Sequence, residues 1–149
     1  MGPLSPEKLR RGSIIALDTV ALVYFLEHHP VHHDTARGVL LRIEKGELAG
    51  VLSNLVFAEL LVPAYRAGDA RRAESVLRLL TSFPNLKVLD GTPAISAGAA
   101  RLRARHGLRT PNSVHAATAL AAGADAILTN DRDLLKVSPE IAVWRFEAD

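Results

Sequence analysis

Ile14-Ile15-Ala16-Leu17 runs straight into Asp18 with no polar residue to break it. An apolar run this short, without alternation, fits a strand buried on both faces, as in a parallel sheet covered by helices. Residues 20–27 are apolar on most sides and read as the helix that leaves the strand. Asp18 then stands at the carboxyl end of a central strand, where open α/β sheets place their ligands. An Asp at that junction also caps a helix by accepting orphan N–H groups. Position alone leaves cap and site open, so other acids have to separate them.

The same alternation continues along the chain. Residues 50–53, 86–89, 126–129 and 141–144 read as four more brief strands. Between them, helices are expected from Asp34 as an N-cap to about Gly46, and from Ser53-Asn54 through an apolar stretch containing Glu59, with a kink or a short break at Pro63. Further helices are expected from Gly68-Asp69 to about Leu80, from Thr92-Pro93 to about His106, and from Pro111-Asn112 to Ala122. Gly107 and Gly123 close the last two. Ser5-Pro6-Glu7 opens a short N-terminal turn. Strands alternating with helices imply βαβ units, hence an α/β fold with a mainly parallel sheet between two helical layers. The 149 residues are expected to form one domain over 1–149.

Composition removes several classes. At 48% hydrophobic residues the chain is too apolar for disorder, and no window approaches eighteen uncharged apolar residues, so no membrane span is expected. Residues 1–12 carry basic side chains without the apolar stretch of a signal peptide. Cysteine is absent, which excludes disulfides and thiolate metal sites; a cytoplasmic setting is expected. Net charge is +2 with Arg dominating the basic residues, a balance that permits a nucleic-acid partner. Two Tyr and one Trp argue against extensive base stacking.

Strands of one parallel sheet share a polarity, so Asp18 and Asp131, which follow the first and fourth strands, lie at the same edge. Asp125 precedes its strand and sits roughly 15 Å away at about 3.3 Å per residue, which makes it structural. Glu59 lies on a helix that follows a strand, within reach of the first edge. A carboxylate among apolar neighbours needs a cation, either an Arg or a metal. Clustered acids without Cys suit Mg²⁺ or Mn²⁺, and such a site suits phosphodiester hydrolysis. The histidines of His28-His29-Pro30-Val31-His32-His33 have metal-like spacing, but Pro30 interrupts any helix there, and a loop is expected instead. An Asp-nucleophile phosphatase would need a second Asp where Val20 stands, and no phosphate-binding or dinucleotide glycine loop is present.

Four segments now resemble a known family: Ile15-Ala16-Leu17-Asp18-Thr19, Phe57-Ala58-Glu59-Leu60, the stretch from Thr110-Pro111-Asn112-Ser113 through His115 to Ala119, and Leu128-Thr129-Asn130-Asp131. In order and spacing they are similar to the PIN-domain ribonucleases, in particular the VapC-type toxins of toxin–antitoxin systems, over residues 14–146. The resemblance implies a three-layer α/β/α fold with a five-stranded parallel sheet and Mg²⁺- or Mn²⁺-dependent cleavage of RNA. It implies that Asp18, Glu59 and Asp131 bind metal, with Thr19 and Thr129 as supporting hydroxyls. It also implies a homodimer and a small antitoxin protein over the cleft.

Asn112 departs from the pattern, which usually has Asp there. A carboxamide offers one neutral oxygen in place of charge, so metal binding and activity are expected to be weakened. Asp133 either substitutes or supports the turn after Asp131. His115 is either a general base or a supporting residue three positions from Asn112. Arg101, Arg103, Arg105, Arg109 and Arg132 form a solvated face or hold RNA phosphates around the acids. The competing function is a catalytically impaired module that keeps the fold to bind RNA or a protein partner.

Overall fold

The computed structural model describes residues 3–147. Its five strands are β1 (Ile14–Leu17), β2 (Ala49–Ser53), β3 (Leu86–Leu89), β4 (Ala126–Thr129) and β5 (Ala142–Arg145), all parallel in the order β3-β2-β1-β4-β5. The helices are α1 (Thr19–Leu26), α2 (His33–Glu44), α3 (Leu55–Leu60), α4 (Val62–Arg66), α5 (Ala70–Ser82), α6 (Pro93–His106) and α7 (Thr110–Ala121). Short 3₁₀ turns span Pro6–Lys8 and Arg132–Val137. Among the described residues no helix is long and apolar enough to cross a membrane.

The strands are apolar throughout because both faces are covered. Ile15 and Leu17 pack with α1, α2 and Leu80 of α5, while Ala16 between them packs on the other side with Ile95 and Leu102 of α6 and Ala116 of α7. Leu52 and Leu128 join the first layer; Val51, Ile127 and Val143 join the second. The result is three layers, α/β/α.

The chain lays β2 and β3 to one side of β1, then crosses to place β4 and β5 on the other. The order therefore reverses between β1 and β4, where Leu17 pairs with Leu128. Side chains just past those two residues open into the crevice that such a reversal creates.

Local boundaries follow the capping chemistry. Asp69 accepts from the Arg72 amide at α5, Thr92 accepts from the Ile95 amide at α6, and Gly107 closes α6 at φ 70°. Pro63 has no N–H to donate to the Glu59 carbonyl, and the helix breaks at Leu61 into α3 and α4. Several expected boundaries shift by a residue, among them the start of β2 at Ala49 and of α7 at Thr110. Helix α2 begins at His33, with Asp34 inside its first turn rather than capping it. The preceding loop is fixed instead by His29, whose Nδ1 accepts from the amides of Val31 and His32 at 3.1 and 3.0 Å. Strand β5 lies one residue later than expected and ends on the buried Arg145.

Candidate functional site: an acid cleft at the sheet reversal

Asp18, Thr19, Val20, Glu59, Arg109, Pro111, Asn112, His115 and Asp131 line one cleft of about 120 Å³. Asp18 and Asp131 reach it from the ends of β1 and β4, Glu59 from α3, and Asn112 and His115 from the first two turns of α7. Acids separated by more than a hundred positions in the chain thus face a common space.

Asp18 is both cap and cleft residue. Its Oδ1 accepts from the Ala21 amide at 3.0 Å, and its Oδ2 accepts from the Thr129 hydroxyl. Only 3% of Asp18 is exposed. Burial pushes its carboxyl above the usual range, against the Thr129 hydroxyl, the Ala21 amide and the nearby His115; Asp131 pushes it further up. The Thr129 Oγ also accepts from the Asp131 amide at 2.9 Å, so one hydroxyl ties the two strand-end acids together.

Glu59 sits at the exposed lip. Its Oε1 lies 3.1 Å from His115 Nε2 and accepts from the Thr19 hydroxyl at 2.7 Å. The His115 contact, opposed by partial burial and aided by Thr19, holds the Glu59 carboxyl below its usual value. The His115 side chain is 5% exposed, and its Nδ1 is buried without a hydrogen-bond partner.

Asp131 faces three donors: its Oδ1 accepts from the Asp133 amide at 2.9 Å, and two more converge on its Oδ2. Arg109 Nη2 pairs with its Oδ2, and Asn112 Nδ2 donates to the same oxygen at 3.1 Å. Asn112 Nδ2 also reaches Asp133 Oδ2 at 2.9 Å. The residue read as a weakened ligand thus bridges two carboxylates as an N–H donor. Asp133 is a support: it accepts from the Arg109 amide at 3.0 Å and pairs with Lys136 at 2.8 Å. Burial pushes its carboxyl up, but Lys136, Asn112 and the Arg109 amide outweigh that and bring it to about 2.

Of the arginines singled out in sequence, Arg109 alone lines the cleft. Arg101 pairs with Glu140 at 3.0 Å; Arg103, Arg105 and Arg132 are exposed outside the cleft wall. Asp125 lies at the opposite edge and accepts from the Ile14 amide at 2.7 Å. The histidine loop is a ring stack: His29 and His32 lie 4.9 Å apart and both pack on Tyr24.

Among the described residues no three His, Asp or Glu side chains stand as a ready ligand set. Asp131 is turned to Arg109 and Asn112, and Glu59 to Thr19 and His115. The donor chemistry nevertheless fits a hard divalent ion. Three carboxylates converge, one of them buried and short of compensating charge, and the positive group already beside Asp131 is a guanidinium on a side chain that is 67% exposed.

A three-layer parallel sheet with acids at its reversal point defines a class of α/β protein with a polar, acid-lined cleft. The PIN domain matches residues 15–139, and the chain belongs to that family. None of the curated proteins matches in sequence. Among solved structures, a chain of VapBC2 from Rickettsia felis, bound to a DNA fragment from their promoter, superposes with a TM-score of 0.70 at 21% identity, covering 89% of this chain and 98% of that one. DNA-bound VapBC from Salmonella typhimurium gives 0.69 at 19% identity, covering 90% and 98%. The Sarcin-Ricin loop cleaving toxin VapC20 of Mycobacterium tuberculosis gives 0.58 at 18%, covering 76% and 86%. At these identities the likeness is one of fold.

Proposed function

We propose that this chain is a divalent-metal-dependent endoribonuclease and the toxin of a toxin–antitoxin pair. The observation that carries the reading is the meeting of Asp18, Glu59 and Asp131, from three separate elements, in one cleft of a PIN-family chain. The similar Mycobacterium tuberculosis protein is a Sarcin-Ricin loop cleaving toxin, and the Rickettsia felis and Salmonella typhimurium structures are of DNA-bound VapBC. A small antitoxin, a homodimeric state and a cytoplasmic setting belong to the same reading.

Asp18, Glu59 and Asp131 would hold Mg²⁺ or Mn²⁺, which when bound lowers the pKa of an attacking water and neutralises charge on the leaving oxygen. The rest falls to the chain's own residues. Thr129 fixes the Asp18 carboxylate and the Asp131 backbone through one hydroxyl. Thr19 and His115 set the direction of Glu59. Asp133 pins the start of α7 through the Arg109 amide and so fixes Asn112 against Asp131. The exposed Arg103, Arg105 and Arg132 supply charge for RNA phosphates around the cleft.

A second reading rests on Asn112. It donates to both Asp131 and Asp133 and partly satisfies them without an ion, as a module that had given up catalysis to bind RNA or a protein would require. RNA cleavage with Mn²⁺, for the chain as it stands and for Asn112→Asp, separates the two. On the nuclease reading Asn112→Asp cuts faster by on the order of ten- to a hundredfold, the scale of restoring a group that tunes metal affinity. If neither protein cuts RNA and neither binds Mn²⁺, the binding module stands.

A further inference from the structure

Arg109 has an unusual position for a group expected to hold substrate. It occupies the residue before α7, its amide fixed to Asp133 Oδ2 at 3.0 Å, so its backbone is anchored. Its side chain is 67% exposed, yet its guanidinium lies against Asp131, 27% exposed, with Nε 3.7 Å from Asp133. It is also the only arginine in the wall of the acid cleft among the described residues. Asp131 Oδ2 already accepts from both Arg109 Nη2 and Asn112 Nδ2, which fills its lone pairs, so a metal on that oxygen has to displace a donor, and the guanidinium is the one whose like charge would lie within a few ångströms of the ion.

Resting on the nuclease reading above, we infer that Arg109 is an exchangeable arm. It closes on Asp131 while the cleft holds no metal, and it is released by metal binding to take an RNA phosphate at the cleft mouth. The structure shows the closed position and leaves the open one accessible. The closed one is held by Asp131 and Asp133; the open one is cheap because the side chain is mostly in water and its anchor, the hydrogen bond from its backbone N–H to Asp133, does not have to break. Arg109 suits the second task because its planar fork matches a phosphate as well as a carboxylate. The consequence is linkage. Metal frees a phosphate-binding group, so metal strengthens RNA binding through Arg109, and RNA strengthens metal binding by the same factor.

The test uses the full chain, Arg109→Ala and Arg109→Lys, with Mn²⁺ binding followed by electron paramagnetic resonance. RNA binding is followed by anisotropy of a fluorescein-labelled single-stranded oligonucleotide, its integrity checked on a gel. Without RNA, Arg109→Ala binds Mn²⁺ about fivefold more tightly than the parent, the scale of a partly exposed ion pair. With Mn²⁺ saturating, Arg109→Ala binds the oligonucleotide more weakly, and its slope of log affinity against log salt is shallower by about 0.7, one phosphate contact on a single strand. Without Mn²⁺ the two proteins bind it alike. Arg109→Lys, which keeps the charge and loses the fork, falls between them. Thermal melts without metal keep a folding defect from being mistaken for any of these.

If the parent binds Mn²⁺ and Arg109→Ala binds it no tighter, Arg109 does not compete for Asp131, and the inference fails while the metal site survives. If Mn²⁺ binding tightens but RNA affinity at saturating Mn²⁺ is unchanged, the arm does not reach phosphate and the coupling is overturned. If neither protein binds Mn²⁺ at millimolar concentration, the inference falls together with the nuclease reading.

Discussion

The two ends of the sheet use the same residue differently. At the amino edge Asp125 is exposed, and one carboxylate oxygen accepts from the Ile14 amide, fixing β4 beside β1. At the carboxyl edge Asp18 accepts a comparable amide bond, from Ala21, but is buried beside Asp131. Each makes a local backbone contact that would by itself count as structural. The difference is solvent: at the amino edge water screens the charge, whereas the folded chain leaves Asp18 underneutralised. A cap in water is only a cap; a cap in a cleft shared with other acids carries charge that the proposed metal would neutralise.

Replacing each acid in turn tests this contrast. Asp18→Asn removes Mn²⁺ binding and lowers RNA hydrolysis by at least about a hundredfold, the loss expected for one charge-stabilising contact in a transition state. Because folding raises the Asp18 pKa, the ionised form disfavours the native state above the ordinary carboxylate range. The melting temperature of Asp18→Asn without metal is therefore equal to or higher than that of the parent. A lower melting temperature with Mn²⁺ binding intact would put Asp18 in the same category as Asp125.

His115→Gln tests whether the cleft depends on how Glu59 is held. Hydrolysis is expected to fall by about tenfold, the usual cost of losing a partner that orients a ligand, with Mn²⁺ affinity falling in step. Unchanged affinity would mean that His115 serves packing alone.

Asp133 provides a smaller effect with the opposite sign to Asp18. Its pKa of about 2 lies below the ordinary 3.8, so its stabilising contribution is complete above about pH 4 and lost as pH falls toward 2. Urea melts across that range should show the parent losing about 1 kcal/mol that Asp133→Asn does not lose, a figure reduced for solvent screening. Parallel pH profiles would remove Asp133 from the support of α7. Asp125→Ala is the mildest change, about 0.5 kcal/mol of stability with hydrolysis unaltered, because water can replace the exposed acceptor. Loss of activity there would erase the distinction between the edges.

The sheet was legible because burial on both faces leaves a mark in the letters: Ile15 and Leu17 serve one layer, Ala16 the other, and none can be polar. The break before Pro63 was legible from its missing N–H. The start of α2 was not, since Asp34 has the right chemistry for a cap but the loop's amides are taken up by His29. At the site, strand polarity alone places Asp18 and Asp131 together and Asp125 apart. What spacing does not encode is which side chain answers which charge. Glu59 is met by His115, and Asp131 by Arg109 and Asn112, through contacts between residues 19 or more positions apart. The same spacing would suit a bare cluster of acids equally well.

The break between α3 and α4 leaves Glu59 on a six-residue helix, one residue from its end, whereas Asp18 and Asp131 are tied through Thr129 to the middle of the sheet. The cleft therefore has one jaw built on the sheet and one carried by a short helix. Widening it to admit a bulkier strand of substrate would displace a single carboxylate and leave the spacing of the other two untouched.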